Sequence, residues 1–499
     1  MSKKIVIIGG GVAGLSTGIY SQLNGFDSEI IEMHSRSGGQ CTAWDRKGYR
    51  FDYCLHWLVG SSHGVFNEIW RTTNVLNESV EVVNHEVFGR VVDAERGEFI
   101  VYSDINRWED YLLEMAPEDA RAIRKMCSQM RRGSKLQTFS KAPGLRTFRD
   151  YMNVIPPMAP ALLLFGRYRN MSGEEYIRRM KLKNENLSWF MNRLYGDANF
   201  SALAILFMLG WFHTKNAGYL VGGSQPIAER MQERFESLGG KIRFRKRVEK
   251  IIVEDNRARG VILTDGTRID ADIVVSAADG YSTIFKMLEG KYLSPDIRDA
   301  YDNWKLFTPM VQVSFGIGEV VKSEYNATTY LASGQKIGST VLRQGYSILN
   351  QSAYDPTMAP DGKTTMIMRF ESPWILWESL EGDSYREEKD KIRRDATDIV
   401  ERLYPGIGEK IEVIDIATPL TDVRYTGVWK GAYEGFMPSG DVTKSLDMEL
   451  PGLRNFYLAG QWLFPGGGLP PSAQSGSWVV QKICRKESKE FIDGNSKLL

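Results

Sequence analysis

The sequence predicts an α/β protein in which a nucleotide-binding domain, assembled from three separated segments, carries a second α+β domain as insertions. The chain has 499 residues, more than one hydrophobic core usually serves. A strand, a glycine turn, a helix and a second strand follow one another at its start. Strands and glycine turns of the same kind return in the middle of the chain and near its end.

The first segment has the pattern of a βαβ unit. "KIVII", residues 4–8, is a short apolar run typical of a buried strand, and "DSEIIEM", residues 27–33, predicts the next strand. Between them, "GGGVAGLSTGIYSQLNG" predicts a glycine turn that opens a helix, and this helix ends at Gly25.

The glycine turn has the chemistry of a dinucleotide site. Gly9, Gly11 and Gly14 match the spacing GxGxxG. The first glycine permits a tight turn, the second lets the backbone approach a pyrophosphate, and the third lets the helix pack against the strand. Glu32 ends the next strand, where a carboxylate accepts hydrogen bonds from a ribose hydroxyl. Because the glycines follow a strand and open a helix, a Rossmann-like site is favoured over an incidental turn.

Two later segments extend the same domain. From Gly218 the pattern is a helix closed by Gly239 and Gly240, followed by strands up to residue 278. From about Gly452 it is the strand "FYLAG" and, after a glycine loop, a helix from about Ser472. A nicotinamide dehydrogenase usually keeps its nucleotide domain in one block, whereas an extended FAD reaches across distant segments. The division of the chain therefore favours FAD.

These patterns predict the domain boundaries. Residues 1–80, 215–290 and 450–499 form the FAD-binding domain, and residues 80–215 and 290–450 form the substrate-binding domain. The first insertion has helical, basic and aromatic-rich patterns, and the second alternates strand-like runs with a charged helix.

Charge is unevenly spread along the chain. Residues 121–183 contain 15 Lys and Arg against 3 acids, although the whole chain has a net charge of only +1. Within them the apolar run Val154–Phe165 is flanked by cations on both sides. This pattern suits insertion into one leaflet of an anionic membrane, and the alternative is a buried helix with a solvated basic rim. Nucleic acid is disfavoured because no recognised binding module is present.

The remaining composition is that of an intracellular protein. The four cysteines are widely spaced without CxxC pairing, which favours a reducing cytoplasmic compartment. The apolar run at the N-terminus is too short for a signal peptide, and no run reaches the roughly 18 residues that cross a bilayer. We therefore expect a cytoplasmic protein, peripheral on the inner face of the membrane if the basic segment binds lipid.

Several stretches resemble one known family, the phytoene desaturase, carotenoid isomerase and retinol saturase-like group of FAD-dependent enzymes in the amine-oxidase superfamily. The stretches are "EMHSRSGG" from Glu32, "GYRFDYCLHWLVG" from Gly48, "VGGSQPIAERMQERFESLGG", "DPTMAPDGK", "ATPLTDVRYTG" from Ala417, and "LAGQWLFPGGGLPPSAQSG" from Leu458. They cover the chain from end to end. The resemblance implies an FAD-binding domain of the glutathione-reductase and amine-oxidase type with an inserted substrate domain.

The resemblance also implies which residues contact FAD. They are Gly9, Gly11, Val12, Ala13, Gly14, Glu32, Met33, Arg36, Gly38, Gly39, Gln40, His56, Val248, Ala277, Gly460, Gln461, Gly467, Gly468, Leu469, Pro470, Ser472 and Ala473. Two positions depart from the family pattern: Cys54 replaces a common glycine, and Gln461 replaces an acid that many relatives of the wider superfamily use for the ribityl chain. An amide also hydrogen-bonds a hydroxyl, so flavin binding is still expected.

Flavin chemistry needs no catalytic dyad, because the cofactor itself takes or gives the hydride. The two candidate catalytic residues are His56, inside a motif expected near the flavin, and Glu434 in "GAYEG". The five histidines show no metal-binding spacing, so no metal site is predicted. Without a second GxGxxG, the electron partner is external, namely oxygen, a quinone or another reductant, unless the substrate itself closes a redox-neutral cycle.

Three functions remain open. The first is an FAD enzyme that desaturates, saturates or isomerises a lipophilic polyene or isoprenoid. The second is a flavin amine oxidase on a soluble amine, for which Trp462 and Phe464 offer an aromatic pair. The third is a prenyl-lipid escort protein without flavin chemistry, and the retained glycines and Glu32 argue against it.

Overall fold

The structure is a computed structural model that describes residues 2–196 and 198–494. Its strands, in chain order, are β1 Lys4–Ile8, β2 Asp27–Ile31, β3 Ala43–Arg46, β4 Tyr49–Asp52, β5 Leu58–Val59, β6 Val82–Val83, β7 Val87–Asp93, β8 Gly97–Tyr102, β9 Ala217–Leu220, β10 Lys241–Arg243, β11 Val248–Glu254, β12 Arg257–Leu263, β13 Arg268–Asp270, β14 Ile273–Ser276, β15 Met310–Ile317, β16 Ala327–Leu331, β17 Lys336–Ile337, β18 Thr340–Val341, β19 Gly345–Leu349, β20 Thr364–Glu371, β21 Ile411–Ala417 and β22 Phe456–Leu458.

The α-helices alternate with these strands. In chain order they are α1 Val12–Leu23, α2 Val65–Thr72, α3 Ile105–Met115, α4 Ala120–Gly133, α5 Phe148–Tyr168, α6 Gly173–Met180, α7 Glu185–Tyr195, α8 Ala202–His213, α9 Ser224–Ser237, α10 Pro295–Asn303, α11 Gly382–Leu403, α12 Pro419–Thr426 and α13 Leu469–Lys486.

A five-stranded parallel sheet unites the three glycine-rich segments. Its strand order is β10-β2-β1-β14-β22, so strands from the start, the middle and the end of the chain lie side by side. Apart from the partly buried Lys4 and the buried Ser276, β1 and β14 consist of buried apolar residues, as expected for parallel strands covered on both faces. Helices α1 and α13 pack closely because Gly476 lacks a side chain, and a Cβ there would lie 2.8 Å from the Ala13 carbonyl oxygen.

A seven-stranded mixed sheet draws on both insertions. Its order is β21-β15-β20-β19-β16-β7-β8, in which β7 and β8 come from the first insertion and the other strands from the second. All neighbours are antiparallel except β16 and β7. The first insertion therefore adds two strands to its predicted helical pattern, and one sheet joins parts of the chain more than 200 residues apart.

Helices α3 to α8 form a separate helical layer with its own apolar core, to which Phe99 and Val101 of β8 contribute. The apolar α8 is buried almost throughout, so the run "FSALAILFMLGWF" is core. Helix α5 has a capping box at Thr147 and Asp150 and contains three prolines. One side of α5 packs on the core, and its other side leaves large apolar side chains exposed.

Two details differ from the sequence expectations. α13 begins at Leu469 rather than near Ser472, because the two prolines occupy its first turn, where their missing N–H groups cost nothing. The Ser472 N–H group already donates to the Gly468 carbonyl oxygen at 3.3 Å. Among the described residues, no helix combines the length and apolarity needed to cross a membrane.

Candidate active site

The β1–α1 turn allows very close backbone packing. Gly9 has φ +97°, and a Cβ there would lie 3.1 Å from the Ala277 carbonyl oxygen. A Cβ on Gly14 would lie only 1.9 Å from the Gly9 carbonyl oxygen. α1 begins after Gly11 without a side-chain cap and without an acid in its first turn, where Val12 and Ala13 are buried. Its N-terminus therefore presents backbone donors and a positive dipole end to an anionic ligand.

A second glycine loop lies against this turn. Gly38 N–H donates to the Gly10 carbonyl oxygen at 2.9 Å, and Gly38 pairs with Gly11 in an isolated parallel bridge. A Cβ on Gly39 would lie 3.3 Å from the Gly11 Cα. The two loops thus form a cradle that is free of side chains, as a pyrophosphate requires.

Glu32 stands at the edge of the cradle. Its two carboxylate oxygens accept hydrogen bonds from the N–H groups of Gly10 and His34, each at 2.6 Å. Burial raises the pKa of Glu32, and these hydrogen bonds oppose that shift. Neighbouring Met33 is partly buried, whereas Arg36 is exposed and donates to the Ala43 carbonyl oxygen at 3.3 Å. The structure thus gives Arg36 a protein partner of its own.

The C-terminal glycine loop approaches the same turn from the other side. A Cβ on Gly460 would lie 3.7 Å from the Ala13 Cβ, and Gly460 N–H donates to Ser475 Oγ at 2.8 Å. Gly466, Gly467 and Gly468 all have positive φ, and a Cβ on Gly467 would lie 2.1 Å from the Glu434 carbonyl oxygen. Only glycine fits this approach.

The other predicted cofactor residues lie in these loops or in elements that adjoin them. The Gln461 side-chain amide donates to the Tyr433 carbonyl oxygen at 2.9 Å, and the Gln40 amide donates to Thr426 Oγ1 at 3.1 Å. Val248 begins β11 and is buried, two residues after a backbone hydrogen bond from Lys246 to the Glu32 carbonyl oxygen. Leu469, Pro470, Ser472 and Ala473 form the first turns of α13, and Ser16 Oγ donates to the Ala473 carbonyl oxygen.

Beyond the glycine loops, a buried polar cluster surrounds the end of β4. Asp52 is fully buried and accepts hydrogen bonds from Ser224 N at 2.5 Å, Ser224 Oγ at 2.7 Å, and the N–H groups of Cys54 and Leu55 at 3.0 Å. Burial raises its pKa, and these donors oppose the shift. Asp52 thereby holds the β4 end against the start of α9.

Arg369 on β20 holds the segment after β4 from the opposite side. Its guanidinium donates to the carbonyl oxygens of Asp52 at 3.2 Å and Tyr53 at 2.5 Å, to Gln312 Oε1 at 2.8 Å, and to His56 Nε2. Burial and then the Arg369 charge hold the pKa of His56 well below its usual value. His56 is therefore neutral, with Nε2 as acceptor and the proton on Nδ1.

Burial raises the pKa of two carboxyl groups near this cluster toward or above neutral pH. Asp422 accepts a hydrogen bond from the Tyr53 hydroxyl at 2.7 Å, and burial raises its pKa to about 8. Burial also raises the pKa of Glu434 to about 7, although its side chain retains accessible surface. Because the Glu434 carboxyl group is desolvated but still accessible, it lines an interior space. This space adjoins the C-terminal glycine loop, since Glu434 Oε1 would lie 3.8 Å from a Cβ placed on Gly468.

An aromatic wall adjoins His56. Its ring centroid lies 5.9 Å from that of Trp57, and Trp57 packs against Phe88 at 5.5 Å and Phe212 at 5.3 Å. Trp57 and Phe88 are only partly buried. The polar cluster therefore borders an apolar surface made by residues from both the first segment and the first insertion.

The structure brings the two catalytic candidates to this region and adds residues that sequence reasoning did not select. His56 is clamped by Arg369, and Glu434 lies beside the C-terminal glycine loop. The additional residues are Asp52, Arg369 and Asp422. One signal was available for Arg369, since it is the single charged residue in the strand-like run "TTMIMRF".

Comparison with known proteins identifies the family. The model of the flavin containing amine oxidoreductases matches residues 12–484. The chain belongs to this family. It is an FAD-dependent oxidoreductase, and its side-chain-free cradle, Glu32 and glycine-bordered α13 fit the cofactor.

Among its relatives is a phytoene desaturase (neurosporene-forming) of Rhodobacter capsulatus, 24% identical with 96% of this chain and 94% of that protein covered. The chloroplastic prolycopene isomerase of Daucus carota is 22% identical, with 96% and 79% covered. An all-trans-retinol 13,14-reductase of Danio rerio is 23% identical, with 99% and 89% covered. These matches confirm the resemblance recognised in the motifs.

Solved structures show the same fold. An oxidoreductase from Methanosarcina mazei superposes with a TM-score of 0.62 at 17% identity, covering 96% of this chain and all of that one. A variant of putrescine oxidase superposes with a TM-score of 0.60 at 13% identity, covering 97% and 99%. The predicted α/β FAD-binding fold of the amine-oxidase type is thereby confirmed.

Proposed function

We propose that the protein uses FAD to desaturate, saturate or isomerise C–C and C=C bonds of a lipophilic polyene or isoprenoid. The observation that carries this proposal is the charge around the C-terminal glycine loop. Asp422 keeps its proton at neutral pH, Glu434 titrates near pH 7, and Arg369 supplies a positive charge. A protonated amine finds little anionic attraction there, whereas a neutral polyene needs none.

The flavin supplies hydride transfer when it is bound. The protein's own residues hold the substrate and limit access of water. Trp57, Phe88 and Phe212 offer flat apolar faces beside His56. Arg369 fixes the segment that carries His56, and Glu434 offers a carboxyl group whose pKa of about 7 suits proton transfer near neutral pH.

The relatives support the same substrate class. A phytoene desaturase, a prolycopene isomerase and a retinol reductase are named for acyclic or side-chain polyenes, and each aligns with at least 96% of this chain. Putrescine oxidase is similar in fold alone. The aromatic pair of the amine-oxidase alternative also packs internally: Trp462 is buried against Phe436 at 5.1 Å, and Phe464 contacts Trp478 at 5.9 Å.

The test is an anaerobic assay of the FAD-loaded protein. Phytoene, prolycopene and all-trans-retinol are presented in lipid vesicles, with putrescine as the soluble amine, and oxidised or reduced flavin is used in separate arms. Chromatography reports the polyene products, and flavin absorbance reports any net electron transfer. We expect conversion of a polyene and no change with putrescine. Conversion of the amine alone would overturn the proposal, and protein that takes up no FAD would favour the escort alternative.

The membrane surface is the second part of the proposal: helix α5 delivers the site to anionic lipid. Phe148 and Leu163 are 80% and 70% exposed, and Met152 and Ile155 lie on the same helical face. Cations flank this face, and each contributes about 1 kcal/mol near an anionic surface. The exposed apolar face and its basic flanks match the interfacial region of a bilayer.

Vesicle co-sedimentation tests the membrane contact. The combined substitution Phe148→Ser and Leu163→Ser removes two apolar anchors worth roughly 1.5–3 kcal/mol each when fully buried, so binding should fall at least tenfold. Ile375→Ser is the matched control, since that side chain is 69% exposed elsewhere and should leave binding unchanged. Equal binding to anionic and zwitterionic vesicles, or unchanged vesicle binding by the double variant, would refute the proposed membrane contact.

A further inference from the structure

The β3–β4 hairpin places two cysteines opposite each other. Strands β3 and β4 pair antiparallel, and Tyr53 N–H donates to the Thr42 carbonyl oxygen at 3.1 Å, which carries the pairing one position further. Cys41 and Cys54 are the next pair in this register. Hydrogen-bonded and non-hydrogen-bonded pairs alternate along such a ladder, so the cysteines occupy a non-hydrogen-bonded position. Cα atoms there lie roughly 4.5 Å apart, within the range that a disulfide spans.

The two cysteines also share a neighbour. Cys41 Sγ lies 3.4 Å from the Ser224 carbonyl oxygen, and Ser224 and the Cys54 N–H group both donate to the Asp52 carboxylate. Cys41 is buried and Cys54 is partly exposed. The contact with Cys54, followed by burial, holds the pKa of the Cys41 thiol well above its usual value. Cys41 is therefore the buried, protonated member of the pair, and Cys54 is the member with solvent-accessible surface.

This pair is a property of this chain rather than of the family pattern. Cys54 replaces a glycine that is common in the resembled motif, so a chain with that glycine would have no second thiol opposite Cys41. The other two cysteines, Cys127 and Cys484, are buried, and neither has a cysteine partner within the part of the chain that the structure describes.

We propose that Cys41 and Cys54 form a dithiol site that reacts with a hydroperoxide beside the active site. The Cys54 sulfur attacks one peroxide oxygen and breaks the O–O bond, which yields a sulfenic acid and releases water or an alcohol. The Cys41 sulfur then attacks the Cys54 sulfur, forming the disulfide and releasing water. Two thiols lose two electrons, the peroxide gains them, and the two thiol protons leave in the released molecules.

The location of the cysteine pair connects this reaction with the cofactor site. Bound flavin, when reduced and then reoxidised by oxygen, would supply hydrogen peroxide, and Cys54 lies in the segment between Asp52 and His56 that adjoins the candidate active site. Disulfide closure draws the sulfurs to ~2.05 Å and tightens the segment between Asp52 and His56. Cys54 N–H donates to Asp52, and His56 contacts Arg369, so the flavin surroundings should respond to the redox state of the pair. The inference goes beyond the proposed polyene reaction and does not depend on it.

The test exposes the FAD-loaded protein to a small excess of hydrogen peroxide, followed by denaturation with an alkylating agent and mass spectrometry. The number of alkylatable thiols should fall from four to two, and one cross-link should join the Cys41 and Cys54 peptides. The mass of the protein before alkylation should be lower by about 2 Da. Dithiothreitol should restore all four. Flavin absorbance is recorded before and after as a second readout.

Two variants sharpen the result. In Cys54→Ser, the three remaining thiols should stay alkylatable after peroxide, because the reacting sulfur is gone. The matched control Cys127→Ser should still form the Cys41–Cys54 cross-link and fall from three thiols to one. If wild-type protein keeps four thiols, or if Cys54 reaches the sulfinic acid while Cys41 remains alkylatable, the proposal is overturned. The wild-type peptide map decides this even if a variant fails to fold.

Discussion

The substitution Gly14→Ala tests the cradle most directly. Position 14 lies in helix α1, where replacing glycine by alanine normally stabilises by roughly 1 kcal/mol. Here the new Cβ would lie 1.9 Å from the Gly9 carbonyl oxygen and 3.1 Å from its carbon, so backbone has to move by about an ångström. Such overpacking costs about 1–3 kcal/mol, and the displaced atoms belong to the turn that receives the cofactor.

The loss should appear in FAD affinity. A cost of about 1–3 kcal/mol corresponds to a dissociation constant raised roughly 5- to 150-fold, measured by titrating flavin-free protein with FAD and following flavin fluorescence. Gly166→Ala is the matched control: it is also a helical glycine, but nothing lies within 4 Å of its Cβ. The control should bind FAD as the wild type does. Unchanged affinity in Gly14→Ala, with folding intact, would show that the cofactor does not contact this turn.

The remaining predictions concern the charged groups. Burial raises the pKa of Glu434 from 4.5 to about 7, so its native state holds a proton that the unfolded chain releases, and wild-type stability should fall relative to Glu434→Gln between about pH 4.5 and 7. Wild-type stability should likewise fall relative to Asp422→Asn between about pH 4 and pH 8, because burial raises the pKa of Asp422 from 3.8 to about 8. Thermal unfolding across pH measures both differences, and parallel curves for wild type and variant would contradict them. Arg369→Met removes a positive charge beside His56 and should raise the histidine pKa, which NMR titration of the ring measures; an unchanged pKa would assign the whole shift to burial.

The nucleotide-binding part was predictable because its signals are local. β1, α1 and β2 carry apolar periodicity, a glycine turn and an acid within one short stretch, and the structure places them where the sequence predicts. α13 begins three residues before the predicted start, because its two prolines lie in the first helical turn, where proline is tolerated.

The polar cluster was not predictable in the same way. Asp52 and Arg369 are separated by more than 300 residues, and their contact exists only because β20 of the mixed sheet packs beside β4. Hydrophobic periodicity along the sequence does not indicate a contact between two residues so far apart in the chain. A lone arginine between apolar residues indicates that it has a partner but does not identify that partner. The contact of Arg369 with His56 and the pairing of the two cysteines therefore became visible only in the three-dimensional structure.

Arg369 also limits which chemistry the site favours. Its hydrogen-bond partners among the described residues are carbonyl oxygens, an amide and a neutral imidazole. Burial lowers the pKa of Arg369, and electrostatic interactions with Tyr53 and then Asp52 oppose that shift. A desolvated cation lowers the stability of the folded protein, and this cost is offset only where a bound group or a reaction step interacts favourably with the charge. A cationic substrate would be repelled, while negative charge that develops nearby would be stabilised. Together with the protonated Asp422, the Arg369 charge favours a neutral substrate whose reaction moves electron density toward the protein. A polyene meets both conditions, and a protonated amine does not.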